Sequence, residues 1–141
     1  MPGLVRRWAP GFTLVELCVV LAVASVLVTV AWPSFQSQLQ RGRRAEAVTA
    51  LLRVQLAQEN YRSHHGLYAA ELGVLVGAAS PRSSEGLYDI ELRGSGADRY
   101  EARATARPGS VVASDAGCTM LSLQVRNGLA DFAPSPRCWN R

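Results

Sequence analysis

The chain has 141 residues, a formal net charge of +4, and a composition that is 48% hydrophobic and 18% charged. That length holds one small domain rather than two, and so modest a charge is no argument for nucleic acid by itself. All fifteen basic residues are arginine, and no glycine-rich phosphate loop, carboxylate pair at helical spacing or framed nucleophile points to an enzyme.

In chain order, Arg6 and Arg7 precede an apolar run, "GFTLVELCVVLAVASVLVTVAW" (residues 11–32). Residues 12–32 carry one charged side chain, Glu16, and at about 1.5 Å per residue they span roughly 30 Å, the thickness of a bilayer's hydrocarbon core. A buried helix of this length and purity is out of proportion to so short a chain. A secretory signal peptide has the charged start, but this core is too long, contains Glu16 and ends in "VAWPSF", a poor cleavage site. The third reading is a retained membrane anchor. Glu16 then lies about one turn from the start and can reach the headgroups, costing less than the roughly 2.5–3.5 kcal/mol of a helix-centre charge. Cys18, inside the run, is read as a small hydrophobe.

A short basic leader ending in Gly11, then Phe12-Thr13-Leu14-Val15-Glu16 and the apolar run, resembles the class III signal of type IV pilins. The resemblance implies that a prepilin peptidase cuts between Gly11 and Phe12, that Phe12 becomes N-methylated, and that the helix remains attached. The protein would cross the bacterial inner membrane once, with its head in the periplasm, until it assembles into an extracellular filament. Glu16 would there neutralise the α-amino group of a neighbouring subunit. A buried pair of this kind adds little net stability but specifies register. The positive-inside rule does not choose an orientation, because Arg41, Arg43 and Arg44 balance Arg6, Arg7 and the initial amine. The leader motif carries it instead.

Pro33 ends or kinks a helix. The segment after it, residues 34–65, has no further proline and is rich in helix formers, so a kink within one long helix is predicted. The helix should end near Ser63, with Gly66 as its stop. Val48, Leu52 and Leu56, with Leu51 and Ala45 beside them, are predicted to face the core. The arginines at 41, 43 and 44 read as a solvated face, as a contact for acidic headgroups or neighbouring subunits, or as a contact for DNA. His64 and His65 are adjacent, point apart on a helix and form no metal pair. "AQENYRSHHGLYA" (57–69) resembles the helix exit of minor pilins.

Residues 67–86 read as loop. "LYDIELR" (87–93) and "RYEARATA" (99–106) alternate well, placing Tyr88, Ile90 and Leu92, then Tyr100, Ala102, Ala104 and Ala106, on one face. "CTMLSLQV" (118–125) is a third strand, and an Asn127-Gly128 turn leads to a short fourth. Asp89, Asp98, Asp115 and Asp131 are scattered over turns and strands, at most isolated ligands for calcium. The predicted fold is α+β: a long N-terminal helix, membrane-spanning in its first half, packed on an antiparallel sheet of three or four strands. Cys118 and Cys138 would be bridged in an exported domain and reduced in the cytosol, and further zinc ligands are lacking. The resemblance implies the first case, a terminal disulfide loop like that of type IV pilins. Such a staple is worth about 3 kcal/mol.

The expected organisation is a leader over 1–11, a transmembrane and filament-core helix over 12–35, an amphipathic head helix over 36–66, and a sheet with its disulfide loop over 67–141. The resemblance implies a structural subunit of a type IV pilus, a minor pilin with no catalytic residue, cofactor or metal. Its partners would be other pilin subunits, the prepilin peptidase, the inner membrane and the pilus assembly platform. Two alternatives stay open. One is a pseudopilin of a type II secretion system, which shares the leader and helix. The other is a minor pilin displaying a DNA- or surface-binding head, since Arg93, Arg99, Arg103, Arg107, Arg126 and Arg137 lie there among interspersed acids.

Overall fold

The structure is a computed structural model that describes residues 11–75 and 80–141. The expected leader therefore lies, apart from Gly11, outside the described residues, as do positions 76–79 of the expected loop. The chain divides into two units between Ser37 and Gln38. One α-helix, α1, runs Leu14–His65 and passes through Pro33 without ending.

In the first unit every described residue is exposed. Helix propensity alone does not hold a polar group comfortably in an apolar setting, so the hydroxyls in this stretch are informative. Ser25 Oγ donates to Ala22 O at 2.8 Å and Thr29 Oγ1 to Val26 O at 2.7 Å. These side chains are satisfied within the helix itself, as surroundings without water require.

The second unit is an antiparallel meander of β1 (Tyr88–Arg93), β2 (Arg99–Ala106), β3 (Met120–Arg126) and β4 (Leu129–Ala133), in spatial order β1-β2-β3-β4. The period-two alternation read from the sequence sets its faces. Tyr88 and Ile90, Tyr100, Ala102 and Ala104, and Leu121, Leu123 and Val125 are buried together with the helix. The turn between β3 and β4 needs two residues at positive φ, which Asn127 (51°) and Gly128 (77°) provide. Helix α1 ends where Gly66 turns to φ 74° and its N–H donates back to Arg62 O at 2.8 Å. The α+β architecture expected from the sequence is the one observed.

Three details differ from expectation. The buried helix stripe is Arg44, Ala47, Leu51, Val54 and Gln58. Of the residues expected to face the core, Leu51 is fully buried and Val48 packs partly buried against it, whereas Leu52 and Leu56 are 42% and 74% exposed and Ala45 is exposed too. The stripe begins and ends on polar residues, each with a buried hydrogen-bond partner, so apolarity alone finds only part of it. Second, β3 starts two residues later than read, because Cys118 N–H donates to Asp115 O at 2.9 Å in a turn. Third, the segment read as loop holds a short 3-10 helix, Leu72–Val74. Its end also lies along the outer edge of β1: Ile90 N–H donates to Pro81 O at 2.8 Å and Ser83 N–H to Tyr88 O at 2.9 Å. That strip covers a sheet edge that would otherwise invite pairing.

Tyr88 is fully buried and its hydroxyl has no partner among the described residues. Burial, with the nearby charge of Asp115 adding to it, pushes its phenol up to about 12. Burial likewise raises Tyr100. A tyrosine ionises near pH 10 when unfolded, so the folded state favours the neutral form. The stability linked to Tyr88 is fully present below about pH 10 and is lost as pH rises towards about 12. Denaturant midpoints of the full chain in detergent should therefore fall across that window, and Tyr88→Phe should flatten part of the fall. A profile unchanged by Tyr88→Phe would show that this phenol is not responsible.

Candidate assembly segment and head surface

Thr13 immediately precedes α1, and its Oγ1 accepts the N–H of Glu16 at 3.2 Å. Thr13 is thus the N-cap and Glu16 the third helical residue, the T-x-x-E pattern of a capping box. A carboxylate in the first turn also meets the positive end of the helix dipole. This role of Glu16 was missed in the sequence reading, although the pattern before an apolar run was visible there. Phe12 is 78% exposed, and a Cβ built on Gly11 would meet nothing within 4 Å. Space in the isolated chain does not demand glycine at that position.

In the head, three elements converge on one ion pair. Arg44 Nε donates to Asp115 Oδ2 at 2.5 Å and Nη2 to Oδ1 at 2.6 Å, with the two side chains 3% and 6% exposed. The hydrogen bond to Asp115 holds Arg44 above its ordinary pKa, against the opposing effect of burial. A third donor of the same guanidinium, Nη1, reaches Arg137 O at 3.4 Å. Helix, β2–β3 connection and C-terminal tail thus share one charged group. Neither role was foreseen: Arg44 was read as part of a surface cluster and Asp115 as an isolated turn residue.

Cys118 and Cys138 are joined by a disulfide, their Cα atoms 5.4 Å apart. The tail it holds forms a second short 3-10 helix, Pro136–Trp139, with Cys138 and Trp139 buried. Trp139 Nε1 donates to Ala133 O at 2.9 Å and its ring meets Phe132 edge-on at 4.7 Å. At the other end of the buried stripe, Gln58 makes a paired contact with Ala69: Nε2 to O at 2.9 Å, and N to Oε1 at 2.8 Å. Tyr68 next to it donates to Glu59 Oε1 and accepts from Arg62 Nη1.

The head surface carries two open basic regions. A groove on the sheet is lined by Arg93, Arg99 and Arg126 with Glu101, Gln124 and Tyr100. Arg99 and Arg126 are direct cross-strand partners. The other region gathers Arg41, Arg137, Asn140 and Arg141. Among the described residues no group of three His, Cys, Asp or Glu side chains could hold a metal ion.

A family model described as the type IV minor pilin ComP, DNA uptake sequence receptor, matches residues 33–122. The chain belongs to this family of type IV minor pilins. The match begins at Pro33 and stops before Cys138, so it rests on the head and not on the Gly11–Glu16 motif. Among similar proteins, the type IV major pilin protein PilE of Neisseria gonorrhoeae is 32% identical over 83 residues, 59% of this chain and 49% of that protein. A fimbrial protein of Neisseria meningitidis is 32% identical over 78 residues, 55% of this chain and 45% of its own. The type IV major pilin protein PilA of Myxococcus xanthus is 36% identical over 68 residues, 46% and 31% of the two chains. The minor pilin chain spans about half the length of the curated relatives it matches first.

For this minor pilin, Arg44→Met should cost about 3–5 kcal/mol, because it leaves Asp115 charged and unpaired inside the head. Arg44→Met combined with Asp115→Leu should cost much less. Chemical denaturation of the full chain in detergent measures both. Equal losses for the single and double variants would show that packing around Arg44, not the charge pair, sets the cost.

Proposed function

We propose that the chain is a minor subunit of a type IV pilus, anchored and assembled through the first part of α1. The observation that carries this is the apolar portion of α1, long enough to cross a membrane and wholly exposed. No soluble subunit leaves such a surface open. It is covered by lipid before assembly and by other subunits' helices afterwards. The family membership and the terminal disulfide support a pilus rather than a type II secretion filament. On this reading Gly11 is kept for a protease that must approach the backbone, cleavage precedes Phe12, and the new terminus is N-methylated. The head faces the periplasm, where the disulfide forms, and then the outside of the cell. Pro33 serves as a bend within α1.

The capping contact makes Glu16→Gln the informative substitution. The Thr13 Oγ1 contact is made to the backbone N–H of residue 16, so glutamine keeps it and the helix start, while the charge is lost. The variant should insert into the membrane normally yet enter filaments at least about tenfold less well, as expected when a buried amine loses its partner. Filament yield against membrane content measures this, together with the intact mass and first residue of the shed protein. Normal incorporation would rule out charge pairing, and a chain still starting at Met1 would rule out processing.

A second reading, a DNA-binding head, is favoured by one feature. Like charges directly opposite one another destabilise a sheet, and Arg99 faces Arg126 with Arg93 lining the same groove. A phosphate would neutralise that repulsion. Replacing Arg99 and Arg126 by Gln should weaken duplex binding and reduce the salt slope by about 2. Unchanged affinity and slope would exclude the groove as the contact.

A further inference from the structure

We propose that Arg41, Arg137 and Arg141 form a binding site for the phosphate of an anionic phospholipid headgroup, occupied while the chain is still in the membrane. The inference rests on the membrane-anchor reading above.

The site is built by the fold and not by sequence proximity. Arg137 and Arg141 lie almost a hundred residues beyond Arg41, and two hydrogen bonds bring the tail back. Asn140 Nδ2 donates to Arg41 O at 3.1 Å, and Arg44 Nη1 to Arg137 O at 3.4 Å. Between those contacts the tail is fixed by the disulfide and by buried Trp139. The resulting cleft, about 400 Å³, is lined by Arg41, Arg137, Asn140 and Arg141, and none of these is acidic. No ion pair among the described residues uses any of its three arginines. Arg44, Arg82, Arg93, Arg99, Arg103 and Arg107 each have a carboxylate within 4.0 Å, while Arg43, Arg53, Arg62 and Arg126 have none but do not line this cleft. The Arg141 guanidinium also stacks over the Phe132 ring at 4.2 Å, which restricts its freedom. Guanidinium groups that line one cleft with no side-chain carboxylate among them suit a phosphate, because each can offer two parallel N–H donors to the oxygens.

Position along the chain selects the source of that phosphate. Trp32 and Phe35 are exposed on α1 and are the amphipathic and aromatic residues expected at a membrane interface. Arg41 follows Phe35 by only six residues, roughly 9 Å of helix and at most about 20 Å of extended chain. A bilayer's headgroup layer extends about 5–8 Å beyond its hydrocarbon core on each side. Whatever the direction of the intervening chain, Arg41 stays within about 20 Å of contour of Phe35, and that covalent tether favours a lipid headgroup over nucleic acid, which has none. Each juxtamembrane arginine strengthens attraction to anionic lipid by roughly fivefold.

The test uses the full chain in nanodiscs of equal parts phosphatidylglycerol and phosphatidylcholine, released into native mass spectrometry. The wild type should retain phosphatidylglycerol in preference to phosphatidylcholine. The pair Arg137→Gln and Arg141→Gln should reduce that preference by roughly 25-fold. Both side chains are exposed, so the head stays folded, and the pair Arg53→Gln and Arg82→Gln serves as a charge-matched control that leaves retention unchanged. A wild type that enters nanodiscs without lipid preference overturns the proposal and leaves the anchor standing, as does a preference that survives loss of Arg137 and Arg141. Displacement of the lipid by an equal concentration of inorganic phosphate overturns it in favour of a free anion. Weakened duplex DNA binding by the same variant, with no lipid preference, overturns it in favour of nucleic acid. Failure of the wild type to enter nanodiscs at all overturns the anchor reading as well.

Discussion

The arrangement of the head depends on enclosing one guanidinium. Arg44 sits on the helix face that packs against the sheet, where removing an ion from water costs several kcal/mol. The cost is offset because Asp115 meets it with both oxygens and the Arg137 carbonyl takes a third donor. Those partners come from the β2–β3 connection and the C-terminal tail, 71 and 93 positions away in sequence. A shift of one residue in helix register would leave both charges unpaired, so the pair selects one packing even if it adds little net stability. The disulfide acts on the same corner. Cys118 lies three residues past Asp115 and its N–H donates to the Asp115 carbonyl, so the covalent and ionic ties reinforce one geometry.

The same logic explains the other end of the stripe. Gln58 is fully buried, and its amide reads the backbone of Ala69 as a neighbouring strand would. Between these polar ends the buried helix residues are Ala47, Leu51 and Val54, and the same core includes the small strand residues Ala102 and Ala104. The sequence therefore shows its strands more readily than its helix face. The alternation of "LYDIELR" and "RYEARATA" survives in the structure because inward positions there are apolar and outward ones charged. On α1 the rule breaks at both ends, where polar residues go inside and Leu52 and Leu56 remain outside. A row chosen by hydrophobicity alone finds only part of that face. Buried polar groups become legible only when their partners are known, and those partners are distant in sequence.

The candidate functional residues divide along the same line. The proposed roles of Gly11, Phe12 and Glu16 rest on a local motif read along the chain. The hydroxyl cap from Thr13 is equally local, a T-x-x-E pattern directly before the apolar run. The cysteine pair was legible only conditionally, since the same two residues would be thiols in a reducing compartment. Asp115 was not legible at all, because nothing around it announces an arginine on another element. The cleft of Arg41, Arg137 and Arg141 exists only once the tail has been folded back, and two of its three side chains would pass in sequence for an ordinary charged terminus.

Charge placement separates what this minor pilin settles within itself from what it leaves to others. Arg44 is neutralised inside the head, and exposed ion pairs such as Arg93 with Glu91 at 2.9 Å lie on the outward face of the sheet. Exposed pairs of this kind are worth little for stability, but they silence charge locally. Among the described residues outside these pairs are Glu16 at the start of the apolar helix and the arginines of the cleft a short chain distance beyond its end, along with head residues such as Arg53, Glu71 and Glu85. Glu16 already has one role, completing the helix start with Thr13, so its backbone contact and its charge are separable. The backbone contact shapes the subunit, while the charge is free for a neighbour. On the proposed assembly, the carboxylate at the edge of this membrane-length helix would find its charge partner on a neighbouring subunit, where an unpaired group would be costly and so would fix the register.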